Sequence, residues 1–252
     1  MKITVIGELG RDVFVYGESR RLSPEAPVPV FNPSYTEENP GMAGNVVENL
    51  KSIDDTISIN FIHQSEIITK TRFVDDKSNH MFMRVDEGEG NIDPLILSDK
   101  YIDMIKESDA VIISDYNKGF LTDKILLEIT RHSRFIVMDT KKQISPDLVS
   151  NFNFIKLNEH EYRNFSDDVK KSYPNKLIVT LGSRGAKYDG VIYPSPDPKE
   201  TIDVSGAGDT FTSSFTVKYL ETKDVKQSII FANEMSSIVV SKRGVTTPKK
   251  IY

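Results

Sequence analysis

Cysteine is absent from this sequence of 252 residues, and histidine occurs only four times. Without cysteine the chain can form no disulfide, no thiolate metal site and no cysteine nucleophile, a composition compatible with a reducing compartment. No two histidines have the spacing that places two metal ligands on one face of a helix. A histidine-based zinc site is therefore not expected.

Long apolar runs are also missing. Runs such as residues 110–113 and 238–240 fall far short of the roughly 20 residues that a membrane-spanning helix requires. The first residues lack the succession of charged region, apolar core and cleavage site that marks an export signal. A net charge of −5 does not favour a nucleic-acid-binding surface. We therefore expect a cytoplasmic protein that binds neither membranes nor nucleic acid.

The sequence alternates between two kinds of segment. Short apolar runs predicted as buried strands lie at residues 3–7, 110–114, 135–139, 154–157 and 177–180. Amphipathic helical patterns, such as residues 99–107 and 122–131, lie between several of them. The alternation predicts an α/β fold with a parallel sheet between layers of helices, formed as one domain over residues 1–252. Ligands of such folds bind beyond the carboxyl ends of the strands.

Two segments break this alternation. Residues 23–30 contain three prolines, which exclude a helix and favour extended backbone. Residues 69–87 have the pattern of two strands around a turn at residues 75–79. We predict that the segments at about 13–40 and 69–87 form a small antiparallel β flap, or lid, over one edge of the main domain. A sheet this small cannot bury both of its faces, which favours a homodimer through the flaps.

The sharpest local signal is the sequence Asp-Val-Ser-Gly-Ala-Gly-Asp at residues 203–209. It precedes a helical pattern, and the first N–H groups of a helix, together with its dipole, form a site for an anion such as a polyphosphate. Glycine lets a ligand approach the backbone, and Asp209 could accept a proton from an attacking hydroxyl. The alternative is an ordinary helix start capped by aspartate. The motif is not a Walker loop, because no Gly-Lys-Ser/Thr follows the glycines.

This motif resembles the C-terminal signature of the ribokinase-like (PfkB) carbohydrate kinases. Further resemblances occur in the same order as in that family. Asn-Glu-His-Glu at residues 158–161 is similar to its Asn-x-x-Glu motif. Residues 179–185 resemble the strand and turn beside the nucleotide, and residues 231–233 resemble the helix near the adenine.

The resemblance implies a ribokinase-like fold with ATP and Mg²⁺ as cofactors. Asp209 would be the catalytic base, and an anion hole would be formed by Gly206, Ala207 and Gly208. The residues implied to contact the nucleotide are Asn158, Glu161, Thr180, Gly182, Gly185, Ser205 and Asn233. Two of these, Asn158 and Glu161, would also organise the magnesium ion and the phosphates. Capping of a helix N-terminus is the alternative for this pair, because its spacing also suits a capping box.

Residues 16–30 resemble, more specifically, the flap signature of the heptose 7-phosphate kinases, and residues 40–46, 83–86 and 114–119 agree with it. This implies phosphoryl transfer to D-glycero-D-manno-heptose 7-phosphate, giving the 1,7-bisphosphate. The residues implied to bind the substrate are Asp12, Arg21, Gly41, Asn45, Arg72, Arg84, Asp115 and Lys118. The cations among them are candidate ligands of the sugar phosphate. The alternative for each arginine is a solvated flap surface.

The sequence departs from the family pattern at several points. Met42 stands where the family has a glycine, Glu8 stands where it has an aspartate, and Arg11 follows an unusual Gly10. A helix-strand unit that the family carries between residues 62 and 69 is missing, and no nucleotidyltransferase segment follows, so we expect a shortened, stand-alone kinase. Two alternatives remain open: a kinase of another sugar, sugar phosphate or nucleoside, and a sugar-binding regulator without catalysis. Retention of Asp209 and the glycine loop favours an enzyme.

Overall fold

The structure, a computed structural model, describes residues 1–90, 92–196, 204–241 and 246–248. Its strands are β1 Lys2–Gly7, β2 Leu9–Leu22, β3 Pro29–Met42, β4 Ser58–Ile62, β5 Ile68–Asp75, β6 Met81–Glu87, β7 Ala110–Asp115, β8 Ile136–Thr140, β9 Phe154–Asn158, β10 Leu177–Thr180, β11 Ala186–Tyr188 and β12 Val191–Tyr193. Its helices are α1 Ala43–Ile53, α2 Asp99–Lys106, α3 Asp123–His132, α4 Pro146–Val149, α5 Glu159–Asn164, α6 Asp167–Ser172, α7 Ala207–Thr222 and α8 Val225–Val240. Short 3₁₀ turns lie at Pro174–Lys176 and Gly182–Arg184.

The main sheet has eight strands in the order β12-β11-β10-β9-β8-β7-β1-β4. The strands from β10 to β4 are parallel, and β11 and β12 add an antiparallel edge. The predicted strands are confirmed as β1, β7, β8, β9 and β10, and the two predicted helices as α2 and α3. The sequence pattern did not predict β4, β11 and β12. These strands of three to five residues, at or next to the edges of the sheet, are too short for a clear pattern.

Helices cover both faces of this sheet, so its central strands are apolar on both sides. Every residue of β7 is buried. Ile112 belongs to the same apolar core as Phe215 of α7 on one face, and its neighbour Ile113 to the same core as Leu126 of α3 on the other. Burial of each such side chain contributes roughly 1.5–3 kcal/mol. Within the described residues, no helix combines the length and apolar character that a membrane crossing requires.

The flap is a second sheet of four strands in the order β3-β2-β5-β6. The pairs β2–β3 and β5–β6 are antiparallel, and the central pair β2–β5 is parallel. β2 begins two residues after β1 ends, and β3 ends directly before α1. The flap therefore begins at the carboxyl end of β1, the strand next to the edge strand β4, and includes both predicted segments.

The junction between main sheet and flap is tightly packed. A Cβ at Gly7 would lie 2.1 Å from the carbonyl oxygen of Ser114, so only glycine fits there. Met42, which directly precedes α1, has φ 57° and ψ −132°, a conformation that favours glycine. The backbone at this position thus has the shape expected for the glycine that Met42 replaces. The Met42 side chain is buried against Gly10 of β2, which offsets part of the backbone strain.

Candidate active site

Asp209 lies in the first turn of α7 and is only 6% exposed. Gly206 precedes the helix with φ 80° and provides no side-chain cap. The first N–H groups of a helix have no acceptor within the helix, and they carry its partial positive charge. The Asp209 carboxylate therefore lies beside a backbone site suited to an anion.

A chain of buried amides orients this carboxylate. Asn45 of α1 donates from Nδ2 to Asp209 Oδ2 at 2.8 Å. Asn45 Oδ1 accepts from Asn49 Nδ2 at 3.1 Å, and Asn49 Oδ1 accepts from Thr210 Oγ1 at 2.7 Å. The side-chain oxygens of Asn45 and Asn49 both accept a hydrogen bond, so the Nδ2 group of Asn45 is the one that faces Asp209.

Tyr116, in the loop after β7, is the second donor to Asp209. Its hydroxyl lies 3.2 Å from Oδ1 and 3.4 Å from Oδ2. Burial raises the pKa of Tyr116 well above its ordinary value, and the negative charges of Asp209, Asp139 and Asp12 add to the shift. The tyrosine therefore stays protonated and remains a donor.

The pKa of Asp209 is raised to about 6, chiefly by burial and then by the nearby charge of Asp139. Three groups oppose this rise: Asn45 and Tyr116 through hydrogen bonds, and Lys156 through its charge. The carboxylate is therefore mostly ionised at neutral pH although it is buried.

Lys156 lies within the apolar strand β9 and forms a buried ion pair with Asp139 of β8, at 2.8 Å. Burial alone would lower the pKa of Lys156, but Asp139, Glu161 and Asp209 outweigh it and raise the pKa. A Cβ at Gly208 would lie 2.8 Å from Lys156 Nζ. Glycine at this position thus lets a permanent cation approach the first turn of α7.

A cleft of about 170 Å³ adjoins this turn. Its described lining comes from the turn after β10, the start of α7 and the inner side of α8: Thr180, Gly182, Ser183, Gly185, Ser195, Val204, Ala207, Gly208, Phe211, Asn233, Ser236, Ser237 and Val240. Four predicted nucleotide residues, Thr180, Gly182, Gly185 and Asn233, therefore meet at one cleft. Ser205 directly precedes Gly206, and residue 203 of the motif lies outside the described residues.

Asn158 and Glu161 form a reciprocal capping box at the start of α5. Asn158 Oδ1 accepts from Glu161 N at 2.8 Å, and Glu161 Oε2 accepts from Asn158 N at 2.7 Å. The pair therefore caps the helix N-terminus, which was the alternative to magnesium binding. Glu161 Oε1 has no hydrogen-bond donor among the described residues, and burial raises the pKa of Glu161 while Lys156 opposes the rise. A carboxylate oxygen is the ligand type that Mg²⁺ prefers, so capping and metal organisation are compatible.

Three predicted substrate residues meet at the base of the flap. Asp12 of β2 is 8% exposed, and its Oδ1 lies 2.5 Å from Nη1 of Arg72. A Cβ at Gly41 would lie 2.5 Å from Asp12 Oδ2, so glycine leaves the room that this carboxylate occupies. The Arg72 guanidinium also lies over the Phe14 ring, 4.9 Å from its centroid. Asp12 is therefore fixed from both neighbouring strands.

Of the other predicted phosphate ligands, two form ion pairs with acidic residues and one lies far from the flap base. Arg84 contacts Asp86 at 2.8 Å, and Lys118 Nζ lies 2.6 Å from Glu89 Oε2. Arg21 is exposed near the far end of β2, about 30 Å along the strand from the flap base. Within one chain, the structure does not bring Arg21 to the other predicted substrate residues.

Two buried carboxylates hold the loop after β7. Glu8 is fully buried and accepts hydrogen bonds from the backbone N–H groups of Tyr116 and Lys118, at 2.9 and 3.0 Å. Asp115 is 1% exposed and accepts from Asn117 N and from a threonine hydroxyl of β8. Burial raises the pKa of both carboxyl groups. Because Asp115 accepts hydrogen bonds from the loop and from the neighbouring strand, it holds the loop in place.

Sequence reasoning assigned no role to several members of this site. Tyr116 and Asp139 stand at the ends of predicted strands, which is where ligand-binding residues are expected. Lys156 interrupts an otherwise apolar strand, a signal that was available in the sequence. No sequence signal indicated Asn49, because its role depends on Asn45 and Thr210 meeting across the core.

A buried carboxylate beside a helix N-terminus, a fixed lysine and an adjoining cleft are the parts that phosphoryl-transfer enzymes use. The family model described as pfkB family carbohydrate kinase matches residues 55–251. The chain therefore belongs to the pfkB family of carbohydrate kinases, which are phosphotransferases.

Comparisons with individual proteins agree with this family. The chain is 34% identical to the Bifunctional protein HldE of Helicobacter pylori over 295 aligned positions, which cover 96% of this chain and 63% of that protein. It is 28% identical to the Bifunctional protein HldE of a Nitratiruptor species over 293 positions, with coverages of 98% and 63%. The chain thus spans about 63% of the length of these relatives.

Solved structures confirm the ribokinase-like fold. The ribokinase of Thermotoga maritima superposes with a TM-score of 0.71 at 17% identity, covering 96% of this chain and 94% of that one. The Arabidopsis thaliana ribokinase complexed with ribose and ATP gives a TM-score of 0.69 at 15% identity, with coverages of 98% and 96%.

We expect Asp209→Asn to raise the free energy of unfolding at pH 7.5, by up to about 3 kcal/mol. The folded-state pKa of about 6 lies above the ordinary value, so ionisation of Asp209 lowers stability as the pH rises from about 4 to 6. Asparagine keeps an acceptor for Asn45 and carries no charge. Urea unfolding of both proteins at pH 7.5 and pH 5 measures the difference, which should shrink at pH 5. A variant that is less stable by the same amount at both pH values contradicts the expectation.

Proposed function

We propose that the protein is an ATP-dependent kinase that transfers the γ-phosphoryl group to a hydroxyl of a sugar phosphate. One observation carries the proposal: the buried carboxylate of Asp209 adjoins both halves of the predicted site. Its neighbour Gly208 lines the cleft on the nucleotide side. Its donor Asn45 belongs to the predicted substrate residues.

ATP would occupy the cleft, with its phosphates at the first turn of α7. The N–H groups of Gly206, Ala207 and Gly208 would bind the transferring phosphoryl group, with Ser205 beside them. The nucleoside would contact Thr180, Gly182, Gly185 and Asn233, which line the cleft. Mg²⁺, organised by Asn158 and Glu161, would neutralise phosphate charge when bound.

Asp209 has the properties that the proton transfer needs. It is ionised above a pH of about 6 and is held by two donors, Asn45 and Tyr116. Phosphoryl transfer passes through a loose transition state, so positioning and charge neutralisation contribute more than base strength. Lys156 supplies a fixed positive charge next to Gly208, where negative charge develops.

The flap side supports a sugar phosphate as acceptor. Asp12 and Asn45 are buried polar groups at the base of the flap, suited to sugar hydroxyls. The flap sequence resembles the heptose 7-phosphate kinases, so D-glycero-D-manno-heptose 7-phosphate is the proposed acceptor. Gly41, Asp115 and the predicted cations Arg72, Arg84 and Lys118 remain part of this proposal, whereas Arg21 lies about 30 Å along β2 from the flap base.

The flap also supports a homodimer. Strand β6 exposes Met81, Met83 and Val85, which are 49%, 54% and 37% exposed. Three exposed apolar side chains on one strand of a small sheet favour coverage by a second flap.

Asp209→Asn should lower kcat by at least about a hundredfold and leave KM for ATP nearly unchanged. Asparagine is close in size and retains the bond to Asn45, but it cannot accept the proton. Steady-state kinetics of the two proteins measure the effect. Asp99→Asn, in the first turn of α2, is the matched control and should keep full activity. An Asp209→Asn variant that is folded and retains most of its kcat removes Asp209 from the mechanism.

Turnover of D-glycero-D-manno-heptose 7-phosphate should exceed that of unphosphorylated sugars, since the acceptor phosphate adds charge-assisted contacts. ATP consumption measured across sugars, sugar phosphates and nucleosides tests this. Faster turnover of a free sugar or nucleoside overturns the acceptor but not the kinase. ATP consumption that no acceptor stimulates points instead to a sugar-binding regulator.

Static light scattering at micromolar concentrations should give twice the mass of one chain. Met83→Glu should shift the protein towards the monomer, because it places a charge on the apolar strand of the flap. Ile96→Glu, at an exposed apolar residue outside the flap, is the matched control and should leave the mass unchanged. A wild-type monomer across this concentration range is incompatible with the proposal.

A further inference from the structure

Three acidic side chains near the base of the flap each have a basic partner. Asp12 pairs with Arg72, and Asp86 pairs with Arg84. Glu89 pairs with Lys118. Within each pair the two charges cancel. A phosphate that bound one of these cations would have to share it with a carboxylate.

Lys70 and Lys141 have no such partner. Neither amino group forms an ion pair or a hydrogen bond with a described residue, and both lie over the ring of Tyr116, 5.4 and 4.3 Å from its centroid. Burial lowers the pKa of Lys70, and the charge of Lys141 lowers it further. The charges of Asp12, Glu89 and Asp86 act on Lys70 in the opposite sense, but none of these carboxylates forms an ion pair with it.

We propose that Lys70 and Lys141 form the subsite that binds the phosphate group of the acceptor. The inference rests on the proposed kinase function and names the residues that select a phosphorylated acceptor. Two unpaired ammonium groups match the charge of a phosphate monoester dianion, and each offers three donors to its oxygens.

The position of the subsite relative to Asp209 fits an acceptor phosphate. The Tyr116 hydroxyl contacts Asp209, so the two lysines are separated from the reacting centre by a tyrosine ring. This separation suits a phosphate several carbon atoms away from the hydroxyl that attacks. The phosphoryl group in transfer must lie at Asp209 itself.

The subsite is on the flap side of Asp209. Lys70 of β5 is in register with Asp12 of β2 and Asp86 of β6, and residues in register on neighbouring strands share one face of a sheet. The described lining of the nucleotide cleft includes neither Lys70 nor Lys141. Lys141 also acts at longer range on Glu161, so an effect on the nucleotide is a separate outcome for the test.

Lys70→Met and Lys141→Met should each raise KM for the phosphorylated acceptor by about ten- to a hundredfold, the range for losing a charge-assisted hydrogen bond. KM for ATP and the slow turnover of the dephosphorylated sugar should stay unchanged. Lys70→Arg and Lys141→Arg should recover much of the loss. Lys124→Met, at an exposed lysine of α3, is the control for the loss of one positive charge.

Equal losses of activity towards the phosphorylated and dephosphorylated acceptors would mean that the lysines do not bind the phosphate. A rise in KM for ATP alone would place them at the nucleotide. Either result overturns the inference while leaving the kinase assignment intact.

A binding measurement tests the subsite without turnover. Inorganic phosphate is titrated calorimetrically into the full chain saturated with Mg²⁺ and a non-hydrolysable ATP analogue, which fills the anion site at α7. Wild type should bind phosphate, and the double variant Lys70→Met/Lys141→Met should bind it at least about tenfold more weakly. Equal binding by both proteins contradicts the inference. If no sugar phosphate is turned over but this difference is found, only the proposed acceptor fails.

Discussion

The site depends on keeping one buried carboxylate, Asp209, able to ionise. Burial and the neighbouring Asp139 both oppose its negative charge, and only the opposing groups keep its pKa near 6. Those groups come from separate elements: Asn45 from α1, Tyr116 from the loop after β7, and Lys156 from β9. The packing of the helices and strands against one another therefore sets the protonation state of the proposed base.

Charged and polar groups also fix the flap side of the site. Glu8 holds the backbone of the loop that presents Tyr116, and Arg72 fixes the position of Asp12, the carboxylate proposed to bind a sugar hydroxyl. The short connection from β4 to β5 is fixed as well. Gln64 accepts from Leu9 N at 2.8 Å and donates to Leu9 O at 2.7 Å, which ties this connection to the first residue of the flap. The connection between β4 and β5, where a helix-strand unit of the family is predicted to be missing, is therefore a hydrogen-bonded junction.

Much of the architecture could be predicted from the order of residues. Apolar runs such as residues 110–114 indicate buried strands because both faces of a central parallel strand are covered. Thr122 and Ser98 start their helices because a hydroxyl can satisfy a free N–H of the first turn. The glycines before Asp209 indicate that a ligand approaches the backbone closely there. The short antiparallel strands β11 and β12 were beyond prediction because three residues carry too little pattern.

The sequence by itself determined the α/β alternation, the presence of a flap, and the helix start that carries Asp209, since each follows from local periodicity or local hydrogen bonding. Tertiary structure alone decided which charges cancel. Arg72 and Lys70 stand two residues apart on β5, yet one is paired with Asp12 and the other is not. Only contacts across the sheet distinguish them. The environment of Lys156, Tyr116 and Asn49 was decided in the same way, because pKa and orientation depend on neighbours that are distant in sequence and close in space.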